Sequence, residues 1–341
     1  MHKKLKTYTA KEIDQIIKRR KSGTKFGEKI QLLRSTGALE RELNDSDSKY
    51  VLLGIPEDAG IIGNFGKPGA RNAWKPALSA LLNMQANSYY KASKLLLLGY
   101  LDFEKELKEL DAINAEDKIY IEKARAITAE IDKEVTYYIR LIVASGKKPI
   151  VVGGGHNNCY GILKGCALAL NQAINTLNID AHTDLRPIEG RHSGNGFTYA
   201  LRDGFLHHYF IFGLHENYLS KEMLKKIAGG TYPIKYNTYE ELEIKNSKGI
   251  EFQLNAAKEF LSIKAFGLEV DCDSIIDIPS SAMTPSGFEV KQVRKFVYHL
   301  SQHKNAQYLH ICEAAPSAAD DRELEQTGKL IAYLITDFMR K

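Results

Sequence analysis

No apolar run in this 341-residue chain approaches the roughly 20 residues needed to span a bilayer, which excludes a membrane helix. The basic start, MHKKLKTYTAKEIDQII, leads into no apolar core and no small-residue cleavage site, so no secretory signal is expected. Cysteine is scarce. The four residues Cys159, Cys166, Cys272 and Cys312 show no C-x-x-C spacing and sit in or beside apolar runs. That pattern excludes a disulfide framework and predicts reduced, buried thiols in a cytoplasmic protein. Internal repeats, low-complexity tracts and Pro/Gly/Ser-rich linkers are absent too. Charge imbalance is confined to the start. Residues 1–50 hold 13 Lys/Arg against 7 Asp/Glu, a net +6, while the whole chain carries +5. Acids and spaced apolar residues interrupt the basic run, so a solvated helix face is expected there, with no nucleic acid and no membrane as partner.

What is present is alternation. Eight short runs predict strands: YVLLGI (50–55), LLLLGY (95–100), KPIVVG (148–153), INTLNI (174–179), YFIFGL (209–214), YPIKY (232–236), IKAFGLEV (263–270) and QYLHIC (307–312). Several are continuously apolar, which suits strands buried on both faces. Helix-period segments lie between them, the longest over 114–145, with others near 158–172, 218–228, 251–261, 287–303 and 321–339. Strand–helix alternation of this kind predicts an α/β fold with a mostly parallel sheet. Residues 1–45 are expected as a helical N-terminal extension and 46–341 as one α/β catalytic domain.

Four polar clusters fall at predicted strand ends. KPIVVG runs into GGHNN with His156. INTLNI runs into DAHTD with Asp180, His182 and Asp184. IKAFGLEV runs into DCD with Asp271 and Asp273, and QYLHIC runs into Glu313 of CEAAP. Ligands of open α/β sheets bind outside the carboxyl ends of the strands, so the four clusters point to one site. Alone, a D-x-D is as readily a turn or helix cap, a single histidine as readily structural, and GGGH lacks the G-x-G-x-x-G of a phosphate loop. Together, His156, Asp180, His182, Asp184, Asp271 and Asp273 offer two imidazoles and four carboxylates. That set exceeds a single zinc site and suits two divalent ions with shared carboxylates, Mn²⁺ above softer choices. Such a pair would make hydroxide available near neutral pH for hydrolysis.

In this order, with GIPEDAGIIGNFGKPGARNAW (54–74) before them, GGGH, DAHTD, DCD and CEAAP resemble the signature regions of the ureohydrolase (arginase/agmatinase/formiminoglutamase) family over most of 50–340. The resemblance implies a three-layer α/β/α sandwich around an eight-stranded, mostly parallel sheet. It implies two Mn²⁺ per chain bridged by hydroxide, a homo-oligomer, and a small amidine or guanidine as substrate. Asp184 would handle the proton of the hydroxide, and Glu313 would hold the planar amidine end by paired charge-assisted hydrogen bonds. DAHTDLR, GGGH and Asn64 look like the formiminoglutamase branch. Arg186 suits a substrate tail with an extra carboxylate, which a guanidinium fork grips. Asn195 is expected among the substrate contacts. Arginases and agmatinases place a proton-shuttling histidine directly before the glycine of this loop; here Ser193 stands there, with His192 one position earlier as the alternative shuttle. N-formimidoyl-L-glutamate, hydrolysed to formamide and glutamate in histidine degradation, is therefore the expected substrate. The alternatives are an arginase, agmatinase or guanidino-acid ureohydrolase releasing urea, a zinc amidohydrolase of similar architecture with one metal, and a non-catalytic member.

Overall fold

All eight predicted runs form strands. In the computed structural model, which describes residues 4–33, 36–245 and 248–340, they lie in one ten-stranded sheet. The strands are β1 (Leu5–Lys6), β2 (Gln31–Leu32), β3 (Tyr50–Gly54), β4 (Leu95–Leu101), β5 (Lys148–Val152), β6 (Ile174–Ile179), β7 (Leu206–Leu214), β8 (Ile234–Thr238), β9 (Phe266–Asp271) and β10 (Ala306–Cys312). The order is β1-β4-β3-β5-β10-β9-β6-β7-β8, with β2 also on β4. Every pair is parallel except β1 with β4.

The apolar runs are continuous because the sheet has a core on each face. Leu52, Leu95, Leu97, Ile150, Leu268 and Val270 join one core, with Trp74, Leu78, Leu254, Val293, Phe296, Ile331 and Ile335 from the helices over that face. Val51, Leu53, Leu96, Leu98 and Val151 join the other, with Ile131, Val135, Ile139, Ile162 and Leu163. Helices therefore cover both faces, which gives the expected three layers. The longest helix is Lys118–Ala144, starting later than residue 114 because Asp117 caps it, accepting from Ile119 N at 3.0 Å.

The count of eight strands rises to ten because of the N-terminal segment. Residues 1–3, 34 and 35 lie outside the described residues. The rest of the expected helical extension carries the helices Ala10–Ile16 and Leu39–Asp45, but also β1 and β2, which line the outer edge of β4. Ile13, Ile17 and Phe26 from this segment are buried in the first core. No helix among the described residues is long and apolar enough to cross a membrane.

Candidate metal centre

β5, β10, β9 and β6 are consecutive neighbours in the sheet, and these are the four strands that end in the polar clusters. Motifs spread from residue 156 to 313 thus meet at one carboxyl edge. Each cluster is held locally. After β5 the chain turns through Gly153 and Gly154, both at positive φ (93° and 73°). A Cβ at Gly154 would stand 2.6 Å from Glu57 Oε1, so only glycine fits. Buried Glu57 accepts from Gly155 N (3.0 Å), Asn158 Nδ2 (2.8 Å) and Asn157 Nδ2 (3.2 Å), which fixes the loop that carries His156. Asp180 accepts from Asn178 Nδ2 (2.8 Å) and from His182 N (2.7 Å). Asp271 accepts from Asp273 N (2.7 Å), and Asp273 accepts from Ala282 N (3.0 Å) and Ser281 Oγ (3.2 Å).

The six predicted donors converge in two lobes that share Asp180. In one, His156 Nδ1 lies 2.9 Å from Asp184 Oδ2, 2.9 Å from Asp271 Oδ2 and 3.4 Å from Asp180 Oδ2. One donor atom from each of these four residues falls within 4.8 Å of all the others. In the second lobe, His182 Nδ1 lies 3.5 Å from Asp180 Oδ1 and 3.9 Å from Asp273 Oδ2. Glu313 sits beside them, its Oε1 accepting from His156 N at 2.6 Å while its buried Oε2 has no partner. Asp184 and Glu313 take left-handed backbone angles (φ 49° and 60°), a strain of about 1–2 kcal/mol each that recurs at functional positions.

The electrostatics ask for cations. Burial raises the carboxyl pKa values of Asp184, Asp271 and Asp273, and crowding by neighbouring aspartates adds to it. Burial and Asp273 push Glu313 up to about 8. Burial opposes the charge on His182, yet Asp180, Asp273 and Asp184 still lift its pKa to about 10. Two imidazoles do not balance this set of buried carboxylates. Oxygen-rich donors in two lobes with a shared carboxylate fit a pair of hard divalent ions.

At the rim, the loop after Asp184 is anchored from the helix Lys118–Ala144. Arg191 Nε donates to Asp132 at 2.7 Å, and Arg125 NH1 to Glu189 O at 2.5 Å. Arg186 is half exposed and points its guanidinium 3.5 Å from Glu189 Oε1. Asn64 Nδ2 donates to Ser193 Oγ at 3.2 Å, so Asn64 belongs to the same rim. His192 is fully buried, with Nε2 3.2 Å from Glu189 Oε1. Burial, with Arg125 and Arg186 nearby, pushes its pKa down to about 4, so it is neutral at pH 7 and has no imidazolium proton to release. Asn195 does not sit where a substrate contact was expected. It is fully buried, and its Nδ2 donates to Gly190 O (2.7 Å) and Pro187 O (3.2 Å) while its Oδ1 accepts from His192 N (3.1 Å) and from Arg191. Every polar atom of that amide is spent on shaping the loop.

Sequence inspection missed Glu57, Asn178, Glu269, Tyr308 and His310. The signal was there. Polar residues stand at every second position of the apolar strands: Thr176, Asn178 and Asp180; Glu269 and Asp271; Tyr308 and His310. A strand's period of two puts each series on one face.

The Arginase family sequence profile matches residues 48–340. The chain is 24% identical over 302 residues to a formimidoylglutamase of Lysinibacillus sphaericus, covering 86% of this chain and 85% of that one. It is 30% identical over 182 residues to a formimidoylglutamase of Hahella chejuensis, a match spanning 50% of this chain and 49% of that protein's length. In fold it is similar to Trypanosoma cruzi formiminoglutamase with Mn²⁺ (TM-score 0.71, 18% identity, 94% and 98% of the two chains). It is similar also to formimidoylglutamase from Bacillus subtilis (TM-score 0.72, 18% identity, 94% and 92%).

Proposed function

The chain belongs to the arginase family, and we propose from this that it hydrolyses N-formimidoyl-L-glutamate to formamide and L-glutamate. The observation that carries the reading is the convergence of His156, Asp180, Asp184 and Asp271 within 4.8 Å, beside a glutamate with a buried unpartnered oxygen. The formimidoylglutamase relatives and the rim arginine favour this substrate over a guanidine.

His156, Asp180, His182, Asp184, Asp271 and Asp273 would hold two Mn²⁺. When bound, such a pair brings the pKa of water toward neutrality and sets positive charge against a tetrahedral anion. Glu313 Oε2 accepts the N–H of the planar amidinium and holds its carbon at the carboxylate edge. Asp184, largely buried and held at a left-handed backbone angle, takes the proton of the attacking water and returns it to the departing glutamate nitrogen. Arg186 grips a substrate carboxylate at the rim. His192, neutral in its setting, holds Glu189 and through it Arg186, and Asn195 keeps the loop in shape. The four free, buried cysteines support a cytoplasmic setting. Residues 46–341 form the catalytic domain in this reading, with residues 1–45 as its N-terminal extension, and the chain assembles as a homo-oligomer.

The test is product analysis by Mn²⁺-loaded protein given formimidoylglutamate, arginine, agmatine and guanidinobutyrate side by side. Formamide and glutamate from the first alone support the assignment. Urea from any of the others keeps the metal centre and overturns the substrate.

A further inference from the structure

Below the carboxylates, one face of β9 and β10 is polar where the opposite face is apolar. Glu269 of β9 is fully buried there. Its Oε1 accepts from Tyr308 Oη at 2.7 Å, its Oε2 lies 2.5 Å from His310 Nδ1, and the same Oε2 stands 3.6 Å from His156 Nε2. The His156 ring therefore stands between two groups of carboxylates. Nδ1 faces Asp180, Asp184 and Asp271, and Nε2, which makes no hydrogen bond to any of the described residues, is turned toward Glu269. The strand is shaped for this. Gly267 lies under Tyr308, and a Cβ there would come within 1.9 Å of the phenol ring. β9 thus forgoes a side chain so that Tyr308 can reach Glu269. A buried carboxylate is costly in a sheet core, where valine or isoleucine would pack without penalty. Its place against the second nitrogen of a candidate ligand supplies the reason.

We propose that Glu269, held by Tyr308 and His310, is a positioning residue that fixes the tautomer and orientation of His156, so that Nδ1 is presented to a divalent ion. A carboxylate on the far nitrogen of a ligating imidazole orients the ring and strengthens its donation. The inference rests on the metal reading given above. Donor atoms of His156, Glu269, His310 and Cys312 also fall within 4.8 Å of one another, which raises an ion site of their own as the competing outcome. Against it, the Cys312 thiol is turned to Val270 O, 3.7 Å away.

The experiment is Mn²⁺ titration of the metal-free full chain by calorimetry, with ion counts by elemental analysis and EPR of the coupled ion pair, on wild type, Glu269→Gln, Tyr308→Phe and Cys312→Ser. Wild type is expected to take two ions. Glu269→Gln should bind one of them about 10–100-fold more weakly, keep the other, and lose the coupled-pair signal at ion levels that give it in wild type. Tyr308→Phe, which keeps the carboxylate but removes one of its holds, should weaken the same ion by less; it carries the test if Glu269→Gln does not fold. Cys312→Ser should match wild type. A purely structural role for Glu269 would not single out one ion. Equal binding by wild type and Glu269→Gln, or by Tyr308→Phe where Glu269→Gln does not fold, overturns this inference alone. A third ion lost in both Glu269→Gln and Cys312→Ser overturns it in favour of a separate site. No ion bound by the wild type overturns the metal reading together with it.

Discussion

Asp184 combines a largely buried carboxylate with a left-handed backbone, and that combination dictates the informative substitution. Asparagine tolerates this region of backbone space better than alanine does and keeps the side-chain shape. Asp184→Asn should therefore fold with little change in melting temperature while kcat falls about 10²–10⁴-fold, the range expected when a positioned base is removed. Wild-type turnover in that variant would sink the assigned role. His192 gives a pH prediction. Its pKa in the folded chain, about 4, lies below the ordinary histidine value, so the unfolded chain binds the proton more readily. Stability from this group is whole above about pH 6.5 and is lost as pH falls through the interval down to about 4, by at most about 3 kcal/mol in all. Urea denaturation should show wild type losing stability relative to His192→Asn across that window, and parallel curves would refute it.

The N-terminal segment is the element whose weight differs most from its appearance in the sequence. It buries Ile13, Ile17 and Phe26 and lays β1 and β2 along the edge of β4. Deleting residues 1–32 should cost about 5 kcal/mol or more from those three side chains, and should leave a bare strand edge prone to pairing with other chains. A truncated chain that stays monodisperse with an unchanged melting temperature would show the segment to be dispensable. The same contrast explains what could be read in advance. Several of the eight longer strands were legible because burial on both faces writes a continuous apolar run, as in Tyr50–Gly54 and Leu95–Leu101. β1 and β2 are dipeptides that owe their extension to the edge of β4 and carry no pattern of their own. Within the candidate site, the clustering of His156, DAHTD, DCD and Glu313 was legible because they break the apolar runs at strand ends. Glu269 and His310 were not, because single polar residues inside such runs read as part of the core. Asn195 looked like a ligand contact because a sequence does not show that both ends of its amide are consumed by the loop.

At the scale of the whole molecule, the centre is where buried like charge accumulates, so occupancy by cations should govern stability. Mn²⁺ at about 100 times its dissociation constant adds about 2.7 kcal/mol per independent site through binding to the folded state alone. Scanning calorimetry should show the melting temperature rising with Mn²⁺ and falling on chelation, and a melting temperature indifferent to both would argue against the centre. The order of the sheet carries one more consequence. β10 lies between β5 and β9, although it is made after both. While the chain emerges from the ribosome, the gap between β5 and β9 has nothing to fill it until residues 306–312 arrive. Glu313 follows at once. A chain ended before residue 306 would carry every aspartate and histidine of the candidate centre and lack both the strand that joins β5 to β9 and the glutamate that follows it.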